Sequence, residues 1–370
     1  MTEPKRLLRQ PLVGFDYGFW FLCGNCDSRV FVDSDDYERQ CTMQAPYPVC
    51  ACEVEIDISE ASPTLRNPDD LAVQDELIDK MYWYHSSRYE KWPDTTAYAE
   101  DVTAAIDETR HEGPDHQRMV ATRLALALHV GTYEAAIENM LRRLDRQDVG
   151  DDSTIRYWLH RVQLNLTPGD LHPDVGPEFG TLMGNVDLQR LQDRGARVVR
   201  YINVHEAVGS VSLAIDPSLI AKVDSILLPV AAVAATDRAT AANDRALAAL
   251  AEAEELRPDT SGVSDETLTM AGVFDGPQDP DDPESVRIYE LAKRFETFTD
   301  HRERIFDELT EVLEVEYVSG VNVQVRRRFL GAVRRHRRRP GTYHDQFRLT
   351  VGLLTRAAEI CESFDQPGTL

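Results

Sequence analysis

The chain has few lysines, far fewer basic than acidic residues and no long hydrophobic run. Of its 370 residues 64 are acidic and 40 basic, which gives a net charge of −24, and only five of the basic residues are lysine. This excess of negative charge argues against general affinity for nucleic acids or anionic membranes. The longest apolar run, ILLPVAAVAA at 226–235, contains a proline and is far shorter than the roughly 20 residues needed to span a bilayer.

The sequence also has no convincing secretory leader. Basic residues occur near the start, but the apolar run Phe15–Leu22 is interrupted by Asp16 and has no small-residue cleavage site after it. The hydrophobic share of 42% is ordinary for a globular protein, and the length allows two or three domains. We therefore expect a cytoplasmic protein.

Cysteine is scarce outside one short segment, because five of the six cysteines lie between residues 23 and 52. Cys23 and Cys26 are spaced as C-x-x-C, and Cys50 and Cys52 as C-x-C. In a cytosolic chain this clustering favours a metal over disulfides. Two tight turns can place four thiolates tetrahedrally around zinc, and a site with four protein ligands is closed and structural.

The spacing therefore predicts a zinc ribbon over residues 1–66, with the 23 residues between the two cysteine pairs forming its hairpin. Two alternatives remain open at this point. Cys41 is a candidate replacement ligand, and the cysteines are otherwise explained as buried free thiols. A structural zinc ion would hold together a module too small for a good core.

Composition divides the chain into four predicted domains in an α+β architecture. Residues 1–66 are the zinc ribbon, and residues 71–225 mix helical and strand patterns. Residues 226–283 combine an alanine-rich helix with an acidic Pro- and Gly-rich linker. Residues 284–370 are helical, with an apolar stripe that predicts a partner helix. Within the second domain, Leu71–Met81 is predicted as helix and residues 170–185 as a loop.

The last domain contains a cluster of arginines in an otherwise acidic chain. Two explanations are open for it: a solvated helix face that balances the acidic segments, or a surface facing the phosphates of a nucleic acid or an antitoxin partner. The arginines of this basic patch are Arg326, Arg327, Arg328, Arg334, Arg335, Arg337, Arg338 and Arg339.

Three short stretches of the second domain carry polar groups at strand ends or at a helix start. HSS places His85 and Ser87 at the end of a predicted strand, and GTY at 131–133 opens a predicted helix. HEAVGSVSL at 205–213 places Glu206 at the head of an alternating strand pattern. Each has an ordinary structural explanation: a buried histidine, an N-cap at Thr132, and a strand-edge carboxylate.

In this order the three stretches resemble the diphtheria-toxin-like branch of the ADP-ribosyltransferases, which includes the poly(ADP-ribose) polymerases. The resemblance covers about residues 80–220, and it implies a central split mixed β-sheet domain that uses NAD⁺ as substrate. By this resemblance, His85 and Ser87 bind the ribose and the nicotinamide amide. Gly131, Thr132 and Tyr133 form part of the NAD⁺ site, with Tyr133 on the nicotinamide ring. Glu206 is the catalytic carboxylate that the resemblance implies.

Breaking the bond between nicotinamide and ribose passes through an oxocarbenium-like state, as glycoside hydrolysis does. A carboxylate near the ribose stabilises the developing positive charge. The family commonly has a polar residue two positions before its glutamate, where this chain has Val204, so the acceptor is left open.

The leading hypothesis is thus an NAD⁺-dependent ADP-ribosyltransferase that modifies an intracellular protein or nucleic acid, with a toxin or antiphage effector as one setting. An NAD⁺ glycohydrolase, a non-enzymatic zinc-ribbon adaptor and a nucleic-acid-binding protein are the alternatives.

Overall fold

The computed structural model describes residues 7–108, 114–146, 155–178 and 186–365, which form a mixed α+β fold. The strands in these ranges are β1 Phe19–Leu22, β2 Arg29–Val32, β3 Trp83–Ser87, β4 Leu128–Val130, β5 Tyr157–Leu164, β6 Leu171–Pro177, β7 Val198–Ile202, β8 Val211–Ile215 and β9 Ile220–Leu228. The α-helices are α1 Ser34–Cys41, α2 Thr95–Glu108, α3 Pro114–Leu124, α4 Tyr133–Arg146, α5 Leu188–Asp193, α6 Asp237–Glu255, α7 Asp265–Gly272, α8 Pro283–Tyr317, α9 Val323–Arg334, α10 Pro340–Thr355 and α11 Ala357–Ser363.

The chain divides into two compact units. Unit 1 comprises Met1–Ala232, Gly320–Arg335 and Gly352–Leu370, and unit 2 comprises Val233–Ser319 and His336–Val351. The predicted domains 1–66 and 71–225 both lie in unit 1, and the predicted domain 284–370 is shared between the units. Every predicted NAD⁺-site residue and all four predicted zinc ligands belong to unit 1.

The N-terminal part of unit 1 contains two β-turns that carry the cysteine pairs. Strands β1 and β2 form an antiparallel hairpin whose turn holds Cys23 and Cys26, and the bridge Val49↔Glu55 closes the turn that holds Cys50 and Cys52. The prediction that the 23 intervening residues form the hairpin was wrong in detail. They contribute β2 and α1 instead, because Asp33 caps the helix by accepting the backbone N–H of Asp35.

The central part of unit 1 is a β-sheet split in two. One sheet has the order β3-β5-β9 and is antiparallel, and the other has the order β4-β8-β7-β6 with β6 and β7 parallel. The isolated bridge Tyr84↔Gly131 joins β3 to β4. At the next residue of β3, the carbonyl oxygen of His129 is bound by the imidazole Nδ1 of His85 and not by a backbone N–H of β3. The two sheets therefore diverge beside His85.

Strands β7 and β8, in the middle of the four-stranded sheet, are rich in β-branched residues because both of their faces are covered. All five residues of β7 and all five of β8 are buried, which suits Val and Ile. The one charged residue among them, Arg200, pairs with Asp75 at 2.8 Å and donates to the carbonyl of Val73 at 2.8 Å. Burial of this arginine is thus compensated by an ion pair and a hydrogen bond.

Gly131 occupies a place in the sheet where no side chain fits. Its N–H and carbonyl both bond to Tyr84, at 2.9 and 2.8 Å, and an added Cβ would lie 2.3 Å from the Ser212 hydroxyl oxygen. We expect Gly131→Ala to lower the free energy of unfolding by about 1–3 kcal/mol, the usual cost of overpacking, as measured by urea denaturation. Gly341→Ala, where nothing lies within 4 Å of the added atom, is the control, and equal stability of both variants would contradict the strand contact.

The helical stripe predicted for the last domain lies on α8, inside unit 2. Leu291, Phe298, Ile305 and Leu309 are buried, as the stripe requires. Helices α6 and α7 pack on α8, and the ring of Tyr343 contacts Phe306 edge-on at a centroid distance of 5.3 Å. The partner helices of the stripe are therefore segments of the same chain. Among the described residues, no helix is long and apolar enough to cross a membrane.

Two local predictions were wrong. Leu71–Met81 is not an α-helix but two short 3₁₀ turns, at Leu71–Val73 and Ile78–Lys80. The bridge Leu8↔Met81 explains this, because pairing with the N-terminal segment requires an extended backbone at residue 81. The predicted loop 170–185 contains β6, which pairs with β7, whereas residues 179–185 lie outside the described ranges.

Several arginines of the basic patch are paired with acids of their own unit. In unit 1, Arg327 binds Glu38 at 2.5 Å and Arg328 binds Glu138 at 2.8 Å. In unit 2, Arg337 binds Glu303 at 2.7 Å and Asp307 at 2.8 Å. These three cations balance internal carboxylates, which leaves fewer charges for a phosphate-facing surface.

Candidate active site and metal centre

The four predicted zinc ligands are close together. The sulfur atoms of Cys23, Cys26, Cys50 and Cys52 all lie within 4.8 Å of one another, with 3.6 Å between Cys23 and Cys52 and 3.5 Å between Cys26 and Cys50. Sulfur atoms at tetrahedral corners around zinc, with Zn–S bonds of about 2.3 Å, are about 3.8 Å apart. The cluster fits that geometry, so these residues could hold a metal ion such as zinc.

The surroundings of Cys26 favour its thiolate form. The side chain and backbone amide of Ser28 form hydrogen bonds with the Cys26 sulfur and lower its pKa to about 6, which favours the form that binds metal. Cys41 does not belong to the group of four. It is exposed at the end of α1, so among the described residues the cluster consists of the four predicted cysteines without it.

His85 lies in β3 and is held as a neutral imidazole. Its Nδ1 lies 2.8 Å from the carbonyl oxygen of His129, so Nδ1 donates and Nε2 is left as an acceptor. The ring stacks on Trp92 with centroids 4.4 Å apart. Burial, followed by the neighbouring His160, lowers the pKa of His85 to about 3. An uncharged ring with one acceptor nitrogen can receive a hydrogen bond from a hydroxyl group.

Ser87, at the end of β3, takes part in an internal hydrogen-bond network. Its hydroxyl oxygen lies 2.9 Å from Nε2 of His160 and accepts the backbone N–H of Tyr89 at 3.1 Å. Nδ1 of His160 lies 2.8 Å from the hydroxyl oxygen of Ser225, and burial lowers the pKa of His160 to about 4. Ser87 is 2% exposed, so its contact with a ligand stays a prediction.

The GTY stretch joins β4 to α4 and opens a helix, as predicted. Gly131 forms the bridge to β3, and the hydroxyl of Thr132 accepts the N–H of Ala135 at 3.2 Å, as an N-cap does. Tyr133 is 1% exposed, and its hydroxyl donates to the carbonyl of Leu353 at 2.8 Å. Its ring contacts Phe15 and Tyr84 edge-on. Stacking on nicotinamide stays a prediction, and it requires the ring to leave this packing.

Glu206 lies in the loop between β7 and β8, five residues before the strand begins. It is 9% exposed, and its Oε1 accepts a hydrogen bond from Nε of Arg142 on α4 at 2.5 Å. The next residue, Ala207, has a φ of 45°, which is uncommon for a residue with a side chain. Strained backbone of this kind is found where the surrounding structure determines the position of a functional group.

The loop that carries Glu206 is anchored at both ends. Asn203 donates from its backbone to the carbonyl of Ser210, and its side-chain amide donates to the hydroxyls of Ser210 and Ser212, each at 2.8 Å. The backbone N–H of Arg66 donates to the carbonyl of Gly209 at 2.8 Å. Because Gly209 has a φ of 81° and a Cβ there would lie 2.8 Å from the carbonyl oxygen of Thr64, only glycine suits this close approach.

Further charged and polar groups surround Glu206. Glu178, directly after β6, accepts the N–H of Val204 at 3.1 Å, and burial, reinforced by the charge of Glu206, raises the pKa of Glu178. Nδ1 of His129 lies 2.9 Å from the hydroxyl of Tyr201. Burial lowers the pKa of His129 against the opposing charge of Glu206. Two carboxylates and a neutral imidazole thus interact in one partly buried cluster, a pattern typical of functional sites.

Four polar residues near Glu206 were not predicted from the sequence: Glu178, Arg142, His129 and Tyr201. Glu178 and Arg142 lie 28 and 64 residues from Glu206 in sequence, and their proximity follows from the order β4-β8-β7-β6 and from α4 packing beside it. The one sequence signal for a charged site here was the Arg142–Arg143 pair, because two adjacent positive charges in a helix stand out in an acidic chain.

A cavity of about 470 Å³ lies in unit 2. It is lined by residues of α7, of the segment after α7 and of the start of α8, including Met270, Phe274 and Tyr289. None of the predicted site residues lines it. Comparisons with family models, curated proteins and solved structures give no match for this chain.

Proposed function

We propose that this chain is an NAD⁺-dependent ADP-ribosyltransferase in which Glu206 is the catalytic carboxylate. The observation that carries the proposal is the arrangement of the three predicted motifs in unit 1. HSS ends β3, GTY follows β4, and Glu206 precedes β8. These three strands are neighbours across the split of the sheet, although their motifs lie far apart in sequence. The split mixed sheet supports the ADP-ribosyltransferase-like fold that the resemblance implies.

Each residue has a physical role in the proposal. Neutral His85 offers Nε2 as an acceptor for a ribose hydroxyl. Glu206 stabilises positive charge on the ribose as the glycosidic bond breaks, and its loop holds it in place before substrate arrives. Glu178 is a second carboxylate close enough to interact electrostatically with Glu206. It takes the place, from another strand, of the polar group that is missing at Val204.

The zinc ion is part of the proposal as a structural element. Four cysteine ligands leave no open position, so its contribution is to stabilise the residues around β1 and β2. Arg66 follows this region and binds the loop of Glu206 through Gly209. Metal binding is therefore expected to affect the active site through this contact, not through chemistry on the metal.

The arginine at Glu206 favours one other candidate, the non-enzymatic adaptor. Arg142 already satisfies the carboxylate of Glu206, as in a purely structural ion pair. Under this alternative the split sheet binds a nucleotide or protein without turning it over.

The deciding experiment is release of nicotinamide from NAD⁺ by the purified full chain, with and without a cell lysate as the source of acceptor. Release that requires lysate identifies a transferase, and release without lysate identifies an NAD⁺ glycohydrolase. Absence of release, together with no rise in melting temperature when NAD⁺ is added, overturns the proposal and favours the adaptor.

A further inference from the structure

The cavity in unit 2 has an apolar lining that is open to solvent. Its volume of about 470 Å³ lies within the range of about 300–1,000 Å³ that is usual for ligand pockets. Met270 and Phe274 line it, and they are 58% and 44% exposed. Pro277, Ile288 and Tyr289 extend the apolar lining. Two large apolar side chains thus remain accessible to solvent at a concave surface.

Packing within unit 2 does not explain this exposure. The local core between α7 and α8 is formed by Leu268, Leu291 and Ala292, which are 1%, 4% and 1% exposed. Among the described residues, neither Met270 nor Phe274 belongs to that core. Apolar side chains exposed singly are ordinary, whereas apolar side chains gathered at one exposed surface mark a place of interaction. The cavity is therefore a candidate docking site.

Polar contacts within its own walls fix the shape of the cavity. Asp282 caps α8 by accepting the backbone N–H groups of Glu284 and Ser285 at 3.2 and 3.1 Å. Nζ of Lys293, on α8, donates to the carbonyl of Gly272 at the end of α7, at 2.9 Å. Because these contacts hold the two helices and the segment between them, a partner that binds here meets a surface that is already ordered. Binding to an ordered surface costs less conformational entropy.

The charge of the cavity indicates which partner fits it. Glu266, Asp282 and Glu284 line it, and among its described lining residues there is no lysine or arginine. Glu284 is partly neutralised by Arg287 at 2.6 Å. Residues 275–284 include five acids and no base, whereas 64 of 370 residues are acidic in the whole chain. The wall is thus more acidic than the chain as a whole, and a complementary partner is basic.

We infer that this cavity binds a basic segment of another protein that carries a bulky apolar side chain. The apolar side chain enters beside Met270 and Phe274, as an anchor residue enters an apolar groove. Lysines or arginines on either side of the anchor face Glu266 and the acids of residues 275–284. The inference goes beyond the proposed function and does not depend on it, because every lining residue belongs to unit 2.

The test is binding of short synthetic peptides to the full chain, measured by fluorescence anisotropy at low and at high salt. The first peptide has lysines on both sides of a central Trp-Leu pair. The second has serine in place of Trp and Leu, and the third has glutamate in place of each lysine. We expect only the first peptide to bind. Phe274→Ser should weaken its binding by about 10-fold or more, as loss of an aromatic anchor does. Glu266→Gln should weaken it less and reduce the dependence of the affinity on salt.

Leu256→Ser and Glu311→Gln are the matched controls. Leu256 is 76% exposed in unit 2, Glu311 is an exposed acid of α8, and neither lines the cavity. Both variants should bind the first peptide as the wild type does. Equal binding of the first and second peptides would show only attraction to an acidic surface, and equal binding of the first and third only a hydrophobic patch. Either result overturns the inference, as does unchanged affinity in Phe274→Ser or no binding by the wild type. All four substituted side chains are exposed, so each variant should keep the wild-type melting temperature.

Discussion

Replacing Glu206 by glutamine is expected to lower the rate of nicotinamide release by about 10²- to 10³-fold, the range found when one electrostatic stabiliser of a transition state is removed. Glutamine has the same shape but no charge, so it cannot stabilise an oxocarbenium-like ribose. Stability should change little, because Arg142 is partly exposed and water can solvate it. The measurements are release of nicotinamide under saturating NAD⁺ and the melting temperature of each variant.

The control for this substitution is Glu90→Gln, which removes a carboxylate from an exposed position near the end of β3. It should leave the rate unchanged. Retention of the wild-type rate by Glu206→Gln would show that the carboxylate has no part in the chemistry, even if the protein cleaves NAD⁺. Loss of the rate together with a large fall in melting temperature would point instead to the ion pair with Arg142 as a structural contact.

Removal of zinc is expected to have the largest effect on stability. One equivalent of zinc per chain should be bound, and Cys50→Ser should abolish stoichiometric binding because the S₄ set loses one ligand. Structural zinc sites contribute about 10–16 kcal/mol of apparent binding free energy at pH 7, so the region around β1 and β2 should unfold without it. Mass spectrometry measures the zinc content of each variant. Near-ultraviolet circular dichroism of Trp20 and its neighbours reports whether the region around β1 and β2 is folded.

Cys41→Ser is the matched control, since Cys41 is exposed and lies outside the group of four. It should retain both the zinc and the fold. Equal zinc content in Cys50→Ser and wild type, or a purified chain without zinc that is fully folded, would contradict a structural zinc site. Because Arg66 binds the carbonyl of Gly209, we also expect nicotinamide release to fall when zinc is removed.

The elements with strong local signals could be predicted from the sequence. Alternation identified β8, and the Gly-Thr-Tyr sequence identified the start of α4. The cysteine spacing identified the four sulfur atoms that the structure brings together. Leu71–Met81 failed because a contact with Leu8, distant in sequence, overrides a local helical pattern.

The surroundings of Glu206 could not be predicted for a similar reason. Glu178 and Arg142 become neighbours of Glu206 only through strand order and helix packing, which a single sequence does not encode in its spacing. The burial of Tyr133 depends likewise on Leu353, which is 220 residues away. Pairwise contacts over such separations leave no periodic trace in the chain.

The discontinuity of unit 1 has a consequence for the order in which the protein is made. Residues 1–232 leave the ribosome first, but two of their buried groups each bind a partner in a later segment. Glu138 is fully buried against Arg328, and burial raises its pKa to about 7, while Tyr133 bonds to the carbonyl of Leu353. A nascent or truncated chain that ends before residue 320 lacks the cation that pairs with Glu138, although the hydroxyl of Tyr17 still donates to Glu138. It also lacks the carbonyl that accepts from Tyr133. The proposed active site therefore reaches its final packing late in synthesis, after the whole of α9 and the end of α10 have emerged.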